Sequence, residues 1–467
     1  MRGSAGGFFG GLAAVLREVS NRTTMPDNIL AGALPYNSWT GQTAMSPIRA
    51  IKVAWTNWAV LSGAETVSGG PVYLTAAIEF PLGGTITRLT FNGGATSVVI
   101  ADGAEGVTDL VQLPRTIPCM TPGTVVSFDA ATNTITRTSG SWLSDEFRVG
   151  DTVFASTRSG TNNGPIGAIT TLSDTVMKFA TGVNTELAVA GATVCGHYRI
   201  RSFWQQQGAG GLPYSPYGPY PSTKMGDQSN QNAVDSTLAP TLVAGSFFGM
   251  WPQRIMAFTS RRNDLCLIED SRGEGYGENS FVDSAFRGQS QLCLGRNHAT
   301  FRLCGAGSTA SGFVAGPTRR LRLANLAPPT TIQLVLGIND FASQSAAQVQ
   351  ANLQTIAAYF PRALAYLGTI SPRTTSSNNW QDLPGQTLDP NNGKRVTVNT
   401  WVRALTTGTI PNFTGYFDIT SFQESGLNSG LWAVTGATGQ AAFTTDGLHA
   451  TTLGDNAVNI FLPPPLP

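Results

Sequence analysis

Charged residues are scarce in this chain. They make up 12% of its 467 residues, whereas an average globular protein contains about 25%. Glycine, threonine, serine, asparagine and glutamine fill the shortfall, a texture typical of extracellular, β-rich proteins. The net charge is +1 and no basic cluster stands out, so the chain lacks the positive surface on which nucleic-acid binding depends. We therefore expect no nucleic-acid partner.

Cysteines and long apolar runs are also few. The five cysteines form no CxxC pair and no regular spacing, which indicates neither a zinc site nor a disulfide framework. We expect no metal and no cofactor. The apolar stretch from Phe8 to Leu16 is short, is broken by glycine and is followed by charged residues without a cleavage pattern. A signal peptide or a membrane span is therefore not expected.

A composition typical of extracellular proteins, without a recognisable export signal, suggests that the protein leaves the cell by a route other than secretion. Release on a phage particle by lysis is one, and we expect a virion or extracellular location. The expected partners are an acylated bacterial surface polysaccharide, other virion proteins and further copies of this chain, with a trimer as one option.

The length predicts two or three domains. Residues 1–45 have weak periodicity and are expected to form an arm or anchor. Short strand-like runs separated by glycine-rich turns predict a β-sandwich, jelly-roll-like, over residues 46–118 and 196–255. Residues 119–195 differ in texture and predict a small inserted β domain, which weakly resembles β modules of tailed-phage virion proteins. The ends of an insertion lie close together, so Cys119 should lie near Cys195.

From about residue 256 the pattern changes to alternating strands and helices. Apolar runs predict strands at 265–268, 300–304, 331–336, 364–370 and 416–419. Helical spacing is clearest over 345–359 and 395–405. Continuous apolar strands joined through helices predict a parallel sheet covered on both faces. We expect a three-layer α/β domain over residues 256–467 that folds on its own.

Polar residues follow several of these strands at one edge of the predicted sheet, where ligands bind in open parallel sheets. They are Ser271, Gly305 or Gly307, Asn339, Asp340, Asp446 and His449. A serine nucleophile needs a base, and the base needs a carboxylate to orient it. Asp446 and His449 are three residues apart and can share one turn. The backbone N–H of Ser271, that of a glycine after the second strand and the Asn339 amide can bind an oxyanion.

Each of these residues also has a structural interpretation. Alone, Ser271 would more often be a turn hydroxyl, and Asn339 could merely cap a loop. We expect Asp340 to hold its loop and Asp270 to order the nucleophile turn through backbone hydrogen bonds. The other histidines, His197 in the β region and His298 before the second strand, are weaker candidates for the base.

With these residues assembled, the chain from 256 to 467 resembles the SGNH, or GDSL-type, hydrolase family. The family's Gly-Asp-Ser block stands here as Glu269-Asp270-Ser271, so the leading glycine is replaced. The second-block glycine is best matched by Gly307, with Gly305 as the rival. The blocks Gly-x-Asn-Asp, at 337–340, and Asp-x-x-His, at 446–449, are intact.

This resemblance implies a flavodoxin-like α/β/α fold and ester hydrolysis by Ser271, His449 and Asp446. Removal of O-acetyl groups from a bacterial surface polysaccharide is the expected reaction. The alternative is a non-enzymatic virion module that keeps the fold for structure or receptor binding, and a third option is a secreted bacterial esterase. The long segment 371–392 leaves the fourth strand at the catalytic edge and is expected to wall the substrate cleft.

Overall fold

The computed structural model describes residues 14–32, 34–157, 162–215, 225, 227–242, 250–276, 288–410, 412–434 and 442–458. The described chain is mostly β, with several sheets and a few helices. Within these residues no helix is both long and apolar enough to cross a membrane.

The first eleven strands lie between residues 15 and 117. They are β1 (Val15–Glu18), β2 (Asn28–Ala31), β3 (Tyr36–Thr43), β4 (Ile48–Thr56), β5 (Trp58–Leu61), β6 (Ala64–Val67), β7 (Val72–Phe80), β8 (Thr85–Leu89), β9 (Val98–Ile100), β10 (Glu105–Val107) and β11 (Val111–Ile117).

Ten more strands precede the parallel sheet. They are β12 (Val126–Asp129), β13 (Thr134–Arg137), β14 (Thr152–Ser156), β15 (Gly164–Leu172), β16 (Val176–Phe179), β17 (Glu186–Val189), β18 (Thr193–Gln206), β19 (Gly211–Tyr214), β20 (Gln228–Gln231) and β21 (Arg254–Thr259).

One antiparallel sheet of twelve strands runs through much of the β region. Its main order is β17-β12-β13-β16-β15-β14-β18-β3-β20, and β7, which also carries β8 and β9, pairs with β18. β18 is buried over most of its fourteen residues because β3 and β7 flank one part of it and β14 pairs with its start. A second sheet has the order β1-β21-β4-β10, with β11 also on β4. Two hairpin-like pairs, β2 with β19 and β5 with β6, complete the region.

The second part of the chain alternates strands and helices, as its sequence predicts. Its elements are β22 (Asp264–Glu269), α1 (Gln289–Leu294), β23 (Ala299–Arg302), α2 (Ala310–Ala315), α3 (Thr318–Ala324), β24 (Thr331–Val335), α4 (Ala346–Ala358), β25 (Leu364–Gly368), β26 (Thr374–Ser376), β27 (Gln386–Leu388), α5 (Asn392–Ala404), β28 (Phe413–Phe417), α6 (Thr420–Gln423) and α7 (Thr452–Ala457).

Five of these strands form a parallel sheet in the order β23-β22-β24-β25-β28. Alternate residues of β22 enter different hydrophobic clusters: Cys266 and Ile268 join one, Leu265 and Leu267 the other. Both faces of the sheet are therefore buried, which explains why its strands are continuously apolar in sequence. α4 begins with a capping box formed by Ser345 and Gln348.

The expected amino-terminal arm is wrong for the described part of residues 14–45. β3 lies inside the large sheet, paired with β18 and β20, and all eight of its residues are buried. β1 pairs with β21. The sequence pattern was weak here because most side chains are buried on both sides, so no alternation of polar and apolar residues marks the strands.

The expected boundary at residue 256 falls inside β21 and is also wrong. This strand pairs with β1 and β4 from the first part of the chain. The main hydrophobic cluster of the parallel sheet includes Met25, Ala54, Trp58 and Val60. The two parts therefore share one core, and neither is closed without the other.

Residues 120–194 have a hydrophobic cluster of their own, and the inserted β domain stays a prediction. The ends of this segment meet, since Cys119 lies opposite Cys195 in an antiparallel bridge. The jelly-roll topology of the surrounding strands stays a prediction.

A fragment of residues 256–467 should accordingly fail to fold alone, contrary to the expectation from sequence. It would expose the surface covered by Met25, Trp58 and Val60 and would lose part of β21. We expect an insoluble fragment, or one without cooperative thermal unfolding. A soluble fragment that unfolds cooperatively by circular dichroism would contradict the shared core.

Candidate active site

The residues that the sequence singles out lie at the carboxyl edge of the parallel sheet. Ser271 follows β22, residues 305–308 follow β23, and residues 337–340 follow β24. Since these three strands are parallel neighbours, their ends meet at one edge. The Asp446–His449 turn precedes α7 and reaches the same place.

Ser271, His449 and Asp446 form one chain of hydrogen bonds. The distance from Ser271 Oγ to His449 Nε2 is 2.9 Å, and that from His449 Nδ1 to Asp446 Oδ2 is 2.6 Å. With the proton on Nδ1, the imidazole donates to the carboxylate and accepts from the serine hydroxyl. Ser271 and His449 are both buried. This is the relation of nucleophile, base and orienting carboxylate that acyl transfer uses.

Asp446 is also the organising residue of its own turn. Its Oδ1 accepts the backbone N–H groups of Leu448 and His449, each at 2.8 Å. Partial burial would raise the pKa of Asp446, but the hydrogen bonds from the His449 side chain and from these backbone groups hold it well below its usual range. Asp446 therefore stays ionised at any pH at which a histidine base would act.

Gly447 lets this turn press against a neighbouring hairpin. Its φ is +75°, and an added Cβ would lie 1.9 Å from Thr374 O and 2.7 Å from Trp380 Cζ2. The Trp432 indole donates to Gly447 O at 3.0 Å. No larger residue fits at position 447 without moving the turn that carries His449.

The expected role of segment 371–392 as a cleft wall is not what its described contacts show. The β26–β27 hairpin lies within it, and Trp380 is buried, with its indole donating to Thr374 Oγ1 at 2.8 Å. Thr374 N donates to Gly447 O at 2.9 Å. The tryptophan packs inward, and the segment supports the Asp446–His449 turn through its contacts with Gly447.

The loops after β23 and β24 are tied to each other. Asn339 Nδ2 donates to Ser308 O at 3.1 Å. The fully buried Asp340 accepts the N–H groups of Ala310 and Ser311 at 2.8 and 2.9 Å, and thus holds the start of α2. Asp340 has the loop-holding contacts that the sequence predicts for it.

The two candidate glycines differ in their backbone donors. Gly305 N–H donates to Ser308 Oγ at 3.2 Å. Gly307 has φ +74°, and within the described residues neither its N–H nor that of Ser271 has a hydrogen-bond acceptor. Gly307 is therefore the better placed of the two to offer a free donor.

Glu269 stands where the SGNH resemblance leads to the expectation of a glycine. It is buried and accepts a hydrogen bond from Ser290 Oγ. Burial raises its pKa to about 7, against the opposing effects of Ser290 and Arg302. Burial likewise raises the pKa of Asp270, which accepts Arg272 N–H at 3.0 Å. The replacement is thus accommodated in a buried polar cluster under the nucleophile turn.

Arg272 was missed by the sequence reasoning. It is buried, and its guanidinium donates to three backbone carbonyls: Leu448 O at 2.9 Å, Ser371 O at 2.8 Å and Pro372 O at 2.7 Å. Burial lowers its pKa to about 10, with Asp270 opposing this. The residue after the nucleophile thereby holds the backbone next to His449. Its position directly after Ser271 was the one signal available.

Tyr276 was also missed. Its ring lies against His449, with ring centroids 4.5 Å apart, and it is 36% exposed. The tyrosine forms an exposed face beside the imidazole. The residues that follow it, 277–287, lie outside the described part of the chain.

The remaining histidines lie away from the site. Burial lowers the pKa of His197 to about 3 and that of His298 to about 4. Each ring faces a backbone carbonyl, Met225 O and Leu294 O respectively. In the part of the chain that the structure describes, no three His, Cys, Asp or Glu side chains cluster as metal ligands would.

Comparisons with known proteins give structural likenesses only. No protein-family model and no curated protein matches the sequence. Similar solved structures include a family two carbohydrate esterase from Cellvibrio japonicus, with 8% identity, TM-score 0.27, and coverage of 87% of this chain and 89% of that one. A carbohydrate esterase family 3 protein from Talaromyces cellulolyticus has 16% identity, TM-score 0.25, and coverage of 42% and 91%. Phospholipase A1 from Streptomyces albidoflavus has 16% identity, TM-score 0.25, and coverage of 42% and 96%.

These neighbours are esterases and lipases, but a likeness at such TM-scores carries no argument about this chain's chemistry. The argument for a function rests on the site itself.

Glu269→Gln should stabilise the protein more at pH 8 than at pH 5. Because burial raises the pKa of Glu269 from 4.5 in the unfolded chain to about 7 in the folded protein, ionisation opposes folding. The loss of folding free energy caused by ionising Glu269 is absent below about pH 4.5. It is complete above about pH 7, where it is on the order of 3 kcal/mol. Glutamine carries no such penalty. Melting temperatures of both proteins at the two pH values, at equal ionic strength, measure the difference.

Glu146→Gln is the control, since the Thr116 hydrogen bond lowers the pKa of this more exposed carboxyl. A stability gain for Glu269→Gln that did not grow from pH 5 to pH 8 would show that Glu269 is ionised in the folded protein throughout this range.

Proposed function

We propose that this protein is a serine ester hydrolase of the SGNH type. The observation that carries the proposal is the continuous hydrogen-bonded chain from Ser271 through His449 to Asp446. Ser271 Oγ attacks the acyl carbonyl while its proton passes to His449 Nε2. Asp446 stabilises the imidazolium. His449 then protonates the leaving alcohol, and a water molecule, activated by the same imidazole, releases the acid.

The oxyanion of the tetrahedral intermediate would be bound by three donors. These are the N–H groups of Ser271 and Gly307 and the side-chain amide of Asn339. This assignment is supported because the two backbone N–H groups have no hydrogen-bond acceptor within the described residues. Asn339 Nδ2 holds Ser308 O with one of its two hydrogens, so the other is left for substrate. Donors fixed before the reaction stabilise the developing charge without reorganisation.

The parallel sheet fits this assignment at the level of fold. Its strand order, β23-β22-β24-β25-β28, is that of flavodoxin-like sheets. We assign residues 260–458 to a flavodoxin-like α/β/α hydrolase unit that is completed by residues from the first part of the chain.

The substrate class is proposed from weaker grounds. A chain low in charge and rich in β structure fits an extracellular or virion location, with O-acetyl groups of a bacterial surface polysaccharide as the target. The β region would then contact the glycan, other virion proteins or further copies of the chain.

Hydrolysis of a small acetyl ester such as 4-nitrophenyl acetate tests the proposal. Ser271→Ala should reduce turnover to background, and Asp446→Asn by about 10⁴-fold with the fold intact, since the imidazole would lose its orienting carboxylate. Equal rates for Ser271→Ala and the unaltered protein would exclude Ser271 as nucleophile. Asn339→Ala should lower turnover about 10²- to 10³-fold with little change in KM.

Arg272 should act as a positioning residue for this reaction. Arg272→Met removes three hydrogen bonds that hold Leu448 and the 371–372 backbone, so we expect turnover to fall roughly a hundredfold with KM nearly unchanged. Arg272→Lys keeps the charge and should recover part of this loss. The rate of Ser271 labelling by a fluorophosphonate should fall in parallel, because it reports the same alignment with His449.

Arg395→Met is the matched control. Arg395 is also buried and binds Ile370 O and Glu424, but it contacts none of the triad residues. If both variants lost stability and turnover to the same extent, Arg272 would have a structural role only.

A further inference from the structure

Cys119 and Cys195 face each other where the segment 120–194 joins the rest of the protein. We call this junction the neck. Cys119 follows β11 and Cys195 lies at the start of β18, and the two form an antiparallel bridge. Both are buried and both are free thiols. No step of the proposed hydrolysis uses them.

The hydrogen bonds around the neck identify the type of pair. Met120 N donates to Val194 O at 2.9 Å, and Gly196 N donates to Pro118 O at 2.7 Å. Because these bonds flank the cysteines, Cys119 and Cys195 are a non-hydrogen-bonded pair. In such pairs the Cα atoms lie about 4.5 Å apart and the side chains are at their closest. This separation falls within the range of about 4.4 to 6.8 Å that disulfides span.

Arg261 activates one of the two thiols. Its Nη1 donates to Cys119 Sγ at 3.0 Å, and its Nη2 donates to Cys119 O and Met120 O at 3.2 and 2.9 Å. Burial would raise the pKa of Cys119, but a hydrogen bond from Cys195 and the charge of Arg261 bring it to about 7. Burial raises the pKa of Cys195. A guanidinium that is hydrogen-bonded to one of two facing cysteine sulfurs favours the thiolate form of that cysteine.

We propose that Cys119 and Cys195 are a redox-active pair that closes to a disulfide across the neck when a low-molecular-weight disulfide is present. The Cys119 thiolate attacks one sulfur of oxidised glutathione and displaces one glutathione thiolate. Cys195, deprotonated as it reacts, then attacks the Cys119 sulfur of the mixed disulfide and displaces the second. The two cysteines lose two electrons in total, and one glutathione disulfide becomes two glutathione molecules.

The bond would fasten the segment 120–194 at its base. This segment has its own hydrophobic cluster, and its strands join the rest of the twelve-stranded sheet through the pairing of β14 with β18. A crosslink between residues 119 and 195 closes a long loop in the unfolded chain, which stabilises the folded state. In an extracellular setting such a bond persists, whereas a reducing compartment would open it.

The test uses the full chain equilibrated in glutathione buffers from fully reduced to fully oxidised. After acid quenching, alkylation and digestion, peptide mass spectrometry should find a linked pair of peptides that contain Cys119 and Cys195, lighter by two hydrogen atoms. Its amount should rise with the oxidised fraction. The melting temperature should rise by about 5 °C on oxidation, and neither change should occur in Cys119→Ser or Cys195→Ser.

Two further variants test the order of events. Cys195→Ser should accumulate glutathione on Cys119, because the mixed disulfide has no second thiol to resolve it. Cys119→Ser should acquire glutathione on Cys195 at least about tenfold more slowly, since burial raises the pKa of Cys195 and the Arg261 guanidinium donates its hydrogen bond to the Cys119 sulfur. Cys266→Ser is the control and should form the linked pair normally, as this cysteine lies in β22.

Because both thiols are buried, the reaction is repeated with protein refolded from denaturant in the oxidised buffer. Recovery of Cys119 and Cys195 as free thiols under both conditions would overturn the proposal. So would linked peptides that join either cysteine to Cys293 or Cys304 in place of its partner at the neck.

Discussion

The buried guanidinium of Arg254 is the interaction on which the arrangement of the whole chain depends. Its Nε donates to Glu18 at 2.8 Å, and its side chain lies over the Phe301 ring at 3.6 Å. Its other nitrogens donate to carbonyls at and beyond the end of α3, those of Leu323, Ala324 and Ala327. One residue thus joins β1, β21, β23 and a helix end that would otherwise have unsatisfied carbonyls. Removing Glu18 would leave the buried guanidinium without its carboxylate partner, at a cost of about 3–5 kcal/mol.

Contacts near this junction also place the first part of the chain against the loop that follows β23. The β5–β6 hairpin has Gly63 at its turn, where an added Cβ would lie 2.9 Å from Ser308 Cα. Arg320 donates to Gly63 O at 2.9 Å, and Glu65 accepts the N–H groups of Arg319 and Arg320 at the start of α3. A carboxylate at a helix start is favoured by the helix dipole. The loop that offers Gly307 N–H is consequently supported by a strand pair more than 240 residues earlier.

Sequence reasoning succeeded where a local pattern determines the structure. The strands of the parallel sheet follow from apolar runs, and the meeting of Ser271 with His449 follows from the rule that parallel strands end at one edge. It failed where the determining contact is remote. Nothing near Glu18 or Gly63 indicates their partners. Segment 371–392 was predicted to wall the cleft, because a tryptophan such as Trp380 in a polar loop has no local signal for the direction in which it packs. Cys119 and Cys195 were correctly expected to meet because the ends of an insertion must lie close together.

The Asp446–His449 turn is held by contacts from several described segments of the chain, and these contacts fix the position of the imidazole. Arg272 binds Leu448 O from below, Trp432 and Thr374 bind Gly447 O, and Tyr276 lies on the imidazole. Loops are ordinarily mobile, yet the proposed proton transfer from Ser271 would require His449 to lie within about 0.5 Å of its productive position. Hydrogen bonds to the backbone carbonyls of residues 447 and 448 fix the turn on either side of these ring contacts. Charged residues are scarce in the composition as a whole, yet several lie at this site: Asp446 contacts the imidazole, and Glu269, Asp270 and Arg272 are buried around the turn that carries Ser271. The supporting hydrogen bonds of the Asp446–His449 turn come from backbone amides, an indole and one guanidinium.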